Sequence, residues 1–261
     1  MGLVALLTDF GLRDAYGAIV KGAIAQVNPW LQIIDLTHQI PPQDVAAARF
    51  QLMNAYPYFP KGTVHVAIVD PGVGSHRRAI AVQLESGFLV SPDNGLVSGV
   101  LSQNRAIAAV ELTNPHYWRV PSPSLTFHGR DIFATVAAHL ASGVPLLSVG
   151  TAIEIESIVS LPIAQSVRVN HTIRGSIQAI DHFGNLITTI LGSEVEGKVW
   201  SVKIAESVYR SNATYSDGEP GEILALVGSH GWVEIAANRD NAQVRLGMGW
   251  GSSVEVILRE G

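Results

Sequence analysis

The chain of 261 residues is 47% apolar and carries a formal net charge of −5. A chain of this length can bury one large core or two modest ones. The acidic excess argues against a nucleic-acid partner, because phosphate backbones bind concentrated basic surfaces. The absence of cysteine excludes disulfides, thiolate metal sites and a cysteine nucleophile. The sequence shows neither a basic leader nor an apolar stretch of membrane-spanning length, so we expect a cytoplasmic protein with no membrane partner.

The first half of the chain alternates β-rich apolar runs with helical patterns. The β-rich runs are LVALLTD, IIDLTH, TVHVAIVD, AIAVQL, FLVSP and AIAAVEL. The helical patterns are DAYGAIVKGAIAQVNP, DVAAARFQLMNAYPYF, NGLVSGVLSQN and GRDIFATVAAHLASG. Strands that are apolar throughout and alternate with helices are typical of a mostly parallel central sheet flanked by helices. We therefore predict an α/β domain over residues 1–160.

The second half of the chain has a different sequence pattern, in which short β-rich runs are separated by Gly, Asp, Asn and Ser. These runs are SIQAI, LITTI, VWSVKI, ILALVG, WVEIAA and SSVEVIL. Closely spaced strands with turn signals and little helical periodicity indicate a small all-β barrel. We predict that this second domain covers residues 165–261.

Three acidic residues, Asp9, Asp35 and Asp70, lie in or directly after predicted strands of the first domain. In open α/β sheets, ligands bind outside the carboxyl ends of the strands. An aspartate at such a place can equally cap the next helix or turn. Asp9 and Asp14 flank a glycine turn that opens a helix, where a carboxylate can accept from both hydroxyls of a ribose. Asp14 also fits a helix-start acid that the helix dipole favours.

The stretch VDPGVGSHRR places Asp70 before a Pro-Gly-x-Gly turn and His76, Arg77 and Arg78 after it. Turn geometry accounts for the proline and the glycines, but it does not require a carboxylate beside a cluster of cations. The stretch TFHGRD puts His128 at the entrance of a helix, whose dipole favours a neutral imidazole that can accept a proton or hold a water. The alternative for His128 is a helix cap or a surface histidine.

The stretch AIDHFGNLITT brings Asp181, Phe183 and Asn185 into one turn of the second domain. They offer a carboxylate for an ammonium, a ring for stacking and an amide for a base edge. The alternative is a hairpin turn with an Asx residue. The histidines are scattered and no HExxH motif occurs, so we expect no metal site. No nucleophile elbow supports a serine hydrolase.

Six motifs taken together carry a resemblance to a known family. They are TDFG, VDPGVGS, SPDNG, TFHGRD, DHFGN and GSHGWVEIAANRDNA. The chain resembles the S-adenosyl-L-methionine (SAM) hydrolases that form adenosine, also called SAM hydroxide adenosyltransferases, which are related to the SAM-dependent fluorinase and chlorinase. The motifs cover nearly the whole chain. The resemblance implies an α/β domain, a C-terminal β-barrel and a homotrimer that binds SAM at the subunit interface.

The resemblance also implies residue roles. The family's catalytic Asp-Arg-His set falls on Asp70, Arg77 and His128. Further family positions bind the ribose, the methionine ammonium, the adenine and the methionine carboxylate. The ribose position falls on Asp9, and the positions around the methionine ammonium fall on Asp14 and Asp181. The adenine position falls on Asn185, with Phe183 beside it, and the position for the methionine carboxylate falls on Ser229.

Three positions depart from the fluorinase pattern. His230 stands where the fluorinase has an arginine, Gly129 where it has a serine that contacts fluoride, and Gln43 where it has a tryptophan near the ribose. The first two differences disfavour a fluorinase, whereas Gly129 alone still permits a chlorinase. The implied activity is hydrolysis of SAM to adenosine and L-methionine by attack of an activated water or hydroxide on the ribose C5′, with SAM as substrate and no cofactor. The alternatives are a SAM-dependent halogenase and a non-catalytic nucleoside-binding module.

Overall fold

The structure is a computed structural model that describes residues 2–259. The chain divides into two compact units, Met1–Leu161 and Pro162–Gly261, which we name the N-terminal unit and the C-terminal unit. Within the described residues, no helix combines the length and the apolar character needed to cross a bilayer.

The N-terminal unit is built on one seven-stranded sheet. Its strands are β1 Leu3–Thr8, β2 Gln32–Thr37, β3 Thr63–Ile68, β4 Ala79–Leu84, β5 Gly87–Pro92, β6 Ala106–Glu111 and β7 Thr151–Ile153. They lie in the order β2-β1-β3-β5-β4-β6-β7. The helices are α1 Tyr16–Val27, α2 Val45–Ala55, α3 Ser98–Leu101 and α4 Ala134–Ala141, the last preceded by the π-helix Gly129–Phe133. Short 3₁₀ turns occur at Tyr56–Tyr58, Pro115–Tyr117, Leu146–Ser148 and Ile155–Ser157.

The six strands predicted for this unit are present, but the prediction of a mostly parallel sheet is met only in part. The pairs β1–β2, β1–β3 and β3–β5 are parallel, whereas β4–β5, β4–β6 and β6–β7 are antiparallel. The reversal begins at the tight hairpin between β4 and β5, where Leu84 pairs with Gly87. A strand that is buried on both faces is apolar throughout in either orientation, so the sequence pattern does not report the direction of pairing.

Different elements pack against the two faces of the sheet. All six residues of β3 are buried, and Val64, Val66 and Ile68 share one core with α1 and α4. The opposite face presents His65, whose ring packs against those of Tyr56 and Phe59 at centroid distances of 4.8 and 5.1 Å. Because successive strand residues point to opposite faces, these two sets follow from the period of two.

The C-terminal unit is an antiparallel sheet that nearly closes into a barrel. Its strands are β8 Val167–Val169, β9 Thr172–Ile180, β10 Leu186–Leu191, β11 Val199–Ile204, β12 Ser207–Arg210, β13 Ile223–Val227, β14 Trp232–Ala237 and β15 Ser253–Arg259. The order is β12-β11-β15-β9-β10-β14-β13, and β8 pairs with β9. The two ends of this order meet where Ser211 bridges to Ala225. That bridge satisfies edge groups that an open sheet would leave unpaired.

The alternation along β15 shows how the barrel is filled. Val254, Val256 and Leu258 are buried in the unit's core, while Glu255 and Ile257 between them are only partly buried. The prediction of an all-β domain is wrong in one element, the short helix α5 Ala242–Leu246. Asn241 caps α5 by accepting from the Val244 N–H at 2.8 Å. Two 3₁₀ turns, Gly192–Glu194 and Tyr215–Asp217, complete the unit.

Candidate active site

The candidate active site lies where β1 and β3 end. Thr8 pairs with Ile68 in the parallel register, so the residues that follow both strands emerge at the same edge of the sheet. Asp9 and Asp70 both line a pocket of about 300 Å³ at this edge. The other lining residues are Phe10, Gln43, Ile68, Pro71, Val73, Thr126, Phe127, His128 and Gly129. The structure thus brings together two carboxylates that are 61 residues apart in the chain, Asp9 and Asp70.

Asp70 and Arg77 form a nearly buried ion pair beside the pocket. The side chains are 6% and 10% exposed. Arg77 Nε donates to Oδ1 and Oδ2 of Asp70 at 2.9 and 3.1 Å, and Arg77 Nη2 also donates to Oδ2. The guanidinium carbon lies 5.3 Å from the centre of the Phe133 ring. This fork geometry fixes the orientation of the carboxylate as well as its charge.

A glycine lets the Asp70 turn approach the His128 loop. Gly74 has φ +76°, and a Cβ at this position would lie 2.2 Å from the carbonyl oxygen of Leu125. Any other residue would therefore push apart the turn after Asp70 and the loop that carries Thr126, Phe127 and His128. Gly74 is therefore required for the local turn and also for the close contact between this turn and Leu125.

His128 completes the cluster from the start of the π-helix. Arg77 Nη2 donates to its Nδ1 at 2.8 Å. Arginine has donors only, so Nδ1 is the acceptor and a neutral His128 carries its proton on Nε2. Burial and the charge of Arg77 lower the pKa of His128, against the opposite effects of Asp70 and Asp131. The predicted set Asp70, Arg77 and His128 is therefore one hydrogen-bonded cluster.

Asp9 is held by a residue that differs from the fluorinase pattern. The backbone N–H of Gln43 donates to Oδ2 of Asp9 at 2.8 Å, and Gln43 has φ +67°. This strained conformation at a pocket residue fits a functional constraint. Asp14 is exposed on the loop before α1 and does not line the pocket. Asp35 lies on β2 and forms an ion pair with Lys21 at 2.6 Å, away from the lining residues.

The remaining basic residues of VDPGVGSHRR do not join the cluster. His76 is exposed. Arg78 Nε donates to Oδ2 of Asp93 at 2.8 Å. Asn94, which follows Asp93 in the SPDNG motif, donates from Nδ2 to the Val69 carbonyl at 2.8 Å and so holds the end of β3. Arg78 and Asp93 thus pair with each other, outside the cluster of Asp70, Arg77 and His128.

In the C-terminal unit, Asp181 organises the turn that the sequence singled out. Its Oδ1 accepts from the backbone N–H groups of Phe183 and Asn185, both at 2.9 Å, and its Oδ2 accepts from Nδ2 of Asn185 at 2.8 Å. Because a carboxylate only accepts, the amide of Asn185 must turn its NH₂ group toward it. The ring of Phe183 is 71% exposed. The turn therefore presents a fixed amide and an open aromatic face.

Sequence reasoning missed a buried carboxylate beneath Ser229. Glu234 is 2% exposed and accepts from the Tyr215 hydroxyl at 2.8 Å and from His230 Nε2 at 2.9 Å. The backbone N–H of Trp232 donates to His230 Nδ1 at 3.1 Å, which fixes this tautomer. Burial, Glu234 and the charge of Asp181 raise the pKa of Tyr215. The sequence feature that could have identified this buried carboxylate is the glutamate, Glu234, within the otherwise apolar run WVEIAA.

His230 is therefore turned toward Glu234 beneath the loop, while Ser229 itself is exposed. Within residues 2–259, no group of three or more His, Asp or Glu side chains is arranged to hold a metal ion.

Comparison with known proteins covers both units. Residues 4–150 match the model of the SAM hydroxide adenosyltransferase N-terminal domain, and residues 175–255 match that of the C-terminal domain. A protein of Salinispora tropica named (R)-S-adenosyl-L-methionine hydrolase is 40% identical over 97% of each chain. One of the same name from Thermus thermophilus is 38% identical over 97% of this chain and 99% of its own. A fluorinase of Nocardia brasiliensis is 27% identical over 97% and 96%.

Solved structures agree with these matches. The crystal structure of an uncharacterized conserved protein from Thermotoga maritima gives a TM-score of 0.91 at 33% identity, covering 97% of this chain and 99% of that one. The crystal structure of a conserved hypothetical protein from Thermus thermophilus gives 0.83 at 35% identity, covering 99% and 100%. The fold, the motifs in both units and the family matches together identify the chain as a member of the SAM hydroxide adenosyltransferase family.

Proposed function

We propose that the protein hydrolyses SAM to adenosine and L-methionine. The observation that carries this proposal is the cluster of Asp70, Arg77 and His128 beside the pocket at the ends of β1 and β3. The curated relatives that share 38–40% identity over nearly the full chain are named as hydrolases of this substrate. Non-catalytic nucleoside binding would not require a carboxylate, a guanidinium and an imidazole joined at one pocket.

In this reaction the enzyme must chiefly activate and orient the nucleophile. The sulfonium of SAM leaves as the neutral thioether of methionine, so departure needs no protonation. Water attacks the ribose C5′ in line with the bond to sulfur, the C5′–S bond breaks, and one proton is released with adenosine and methionine. Holding the water in that line is chiefly a matter of orientation, and a positioned base typically adds about 10² to 10⁴ in rate.

The contacts of Arg77 suggest how the roles divide. A carboxylate has about four lone-pair positions, so Asp70 keeps acceptor capacity beyond the bonds from Arg77 and serves as the proton acceptor. Neutral His128, with its proton on Nε2, donates to the water oxygen and stabilises developing hydroxide character. Arg77 holds both side chains and offsets the charge of the carboxylate.

The roles of the binding residues are those that the family resemblance implies, and the contacts of Asp9 and Asn185 are compatible with them. Asp9, fixed by the Gln43 N–H, accepts from the ribose hydroxyls. Asn185 turns its NH₂ toward Asp181 and leaves Oδ1 to accept from the adenine amine. Phe183 stacks beside the base, and Ser229 donates to the methionine carboxylate.

Asp14 and Asp181 face the methionine ammonium in this proposal. Asp181 has a second function, since it positions Asn185. The homotrimer with SAM at the subunit interface is part of the proposal, and light scattering coupled to size-exclusion chromatography measures its mass.

The names of the relatives also indicate the form of the substrate. In (R)-S-adenosyl-L-methionine, the prefix L already specifies the methionine α-carbon, so R refers to the sulfonium. We therefore propose that this protein prefers the R epimer at sulfur. Separate incubations with each chromatographically resolved epimer test this preference, and equal rates on both contradict it.

The deciding experiment is incubation of purified protein with SAM in H₂¹⁸O. We expect adenosine and methionine in equal amounts, with the label in the 5′-hydroxyl of adenosine and none in methionine. His128→Ala at the same concentration, shown to be folded by circular dichroism, is the matched control. No adenosine above the enzyme-free rate rejects the proposal, and unlabelled adenosine rejects water attack on C5′.

A further inference from the structure

A second aspartate, Asp131, lies behind His128 and takes no part in the cluster of Asp70, Arg77 and His128. It is fully buried, at 0% exposure. Its Oδ1 accepts from Arg119 Nε at 2.6 Å and from Arg130 Nε at 2.7 Å. Its Oδ2 accepts from Arg130 Nη2 at 2.6 Å and from the Ser124 N–H at 2.9 Å. Burial of this carboxylate is thus compensated by four N–H donors, two from the adjacent Arg130 and one each from Arg119 and Ser124.

These bonds close the segment 119–131 into a loop. The backbone carbonyl of Asp131 also accepts from the Arg119 N–H at 2.8 Å, so both ends of the segment meet at this residue. The other side of the same segment carries Thr126, Phe127 and His128, which line the pocket. A carboxylate that holds the loop from inside therefore sets the position of the loop's pocket face.

The contacts of Arg130 connect the loop 119–131 to the residue next to Asp9. Its guanidinium carbon lies 5.2 Å from the centre of the Phe127 ring, and Phe127 meets the ring of Phe10 edge-on at 5.8 Å. Phe10 directly follows Asp9. The π-helix Gly129–Phe133 has Asp131 at its centre, and such helices are rare and often found at functional sites.

We propose that Asp131 is the positioning residue of His128: with Arg119, Arg130 and the Ser124 N–H it holds the loop so that the imidazole meets Arg77 and the reacting water. This inference rests on the proposed function. The charge of Asp131 supports it, because burial opposes ionisation but the bonds from Arg130, Arg119 and Ser124 hold the pKa of Asp131 well below its usual range. Asp131 is therefore a charged acceptor at neutral pH.

The test is Asp131→Asn, which keeps the shape of the side chain and removes its charge. We expect kcat to fall by about tenfold or more, with the KM for SAM within about twofold. In a His128→Ala background, the same change should alter kcat by less than about twofold, because its effect passes through His128. Asp93→Asn is the matched control, since Asp93 is also buried and paired with an arginine fork and one backbone N–H. It should lower thermal stability and leave kcat within about twofold.

Three kinetic results would overturn the proposal. They are an unchanged kcat in Asp131→Asn, an equal fold-loss in the presence and absence of His128, or an equal loss in Asp93→Asn. If Asp131→Asn does not fold, Arg119→Ala removes one donor whose side chain is already 35% exposed, and a smaller loss of kcat at unchanged KM is expected.

The ¹⁵N resonances of His128 provide a readout that is independent of turnover. In the wild type they should show Nδ1 as an unprotonated acceptor, and in Asp131→Asn this pattern should change while that of His171, in the C-terminal unit, does not. If the wild type forms no adenosine but the resonances still change, the proposed function fails and the positioning role stands. Unchanged resonances in a folded variant reject the positioning role.

Discussion

Arg77 Nη2 lies 2.8 Å from His128 Nδ1, so a side chain that only donates faces a nitrogen that must accept. The same guanidinium binds both oxygens of Asp70 through Nε. One rigid fork therefore sets the orientation of the carboxylate and the tautomer of the imidazole together. This coupling distinguishes the cluster from three separate polar residues that happen to line a pocket.

The first prediction concerns Arg77→Lys. An ammonium is a point donor on a flexible stem and cannot reproduce the fixed fork that binds Asp70 and His128 together, so kcat should fall by about 10²-fold although the charge is kept. Steady-state kinetics with SAM measure the change. Arg78→Lys is the matched control, because Arg78 is the next residue and pairs with Asp93 instead. Equal losses in the two variants would show that the fork geometry at Arg77 is not special.

The second prediction is the pH dependence of kcat. Burial and the Arg77 charge lower the pKa of His128, so the neutral form persists as the pH falls through the usual histidine value of about 6.5. Activity should therefore be retained at that pH and lost only at lower pH. Removing the cation in Arg77→Gln should raise the His128 pKa and move the acid limb of the residual activity upward. An acid limb that stays in place contradicts this origin of the shift.

The third prediction concerns Asp70→Asn, which keeps the size of the side chain and removes its basicity. We expect kcat to fall by about 10² to 10⁴, while the affinity for SAM stays within about 1.4 kcal/mol, a tenfold change. Isothermal titration with SAM and a product assay separate the two quantities. A folded variant that turns over at the wild-type rate would remove Asp70 from the mechanism.

The fourth prediction uses a titratable group outside the site. His65 is 2% exposed, and burial lowers its pKa to about 4. The folded state thus favours the neutral ring, so its contribution is fully present above the unfolded-state value of about 6.5 and is lost as the pH falls from there to about 4. The difference corresponds to about 3 kcal/mol. Urea unfolding across this window should show the slope.

The matched variants for this test are His65→Leu and His116→Leu. The first removes the buried ring and should flatten the dependence of unfolding free energy on pH between about 6.5 and 4. The second removes an exposed histidine of the same unit and should keep the wild-type slope. A slope that survives in His65→Leu assigns acid lability to other groups.

The sequence predicted the parts of the fold that follow from local pattern. Asp9 and Asp70 were expected at one sheet edge, and the parallel register of β1 and β3 places them there. The antiparallel half of the N-terminal sheet escaped prediction because doubly buried strands have the same composition in either direction. In the C-terminal unit, α5 was missed because five residues are too few to establish a helical period.

The site was predictable where a motif carries chemistry in its side chains. Gln43 acts through its backbone N–H, so its residue type gives no signal. Tyr215 and Glu234 are distant in sequence from the DHFGN turn and meet only through the fold. The contact between Tyr215 and Glu234 depends on how the strands pair, and a short sequence motif does not report that pairing.

The fifth prediction separates hydrolysis from halogenation, the chemistry named for the fluorinase relatives at 27–28% identity. The Asp70 carboxylate is 6% exposed beside the pocket. A unit charge at about 4 Å opposes a second anion by about 4 kcal/mol at an effective dielectric of about 20, before any offset from Arg77. Arg77 reduces this repulsion, but its Nε and Nη2 already donate to Asp70 and His128 and so are not free to bind a halide.

Gly129 lines the same pocket and adds no side-chain donor for a halide, while the Asp70 carboxylate in the lining opposes an anion. Chloride or fluoride at high concentration should therefore not divert SAM to a 5′-halogenated nucleoside, and adenosine should remain the nucleoside product. Mass spectrometry of the products across a halide titration is the measurement, with sulfate at matched ionic strength as control. A halogenated nucleoside that grows in proportion to halide would overturn the assignment of this pocket to water.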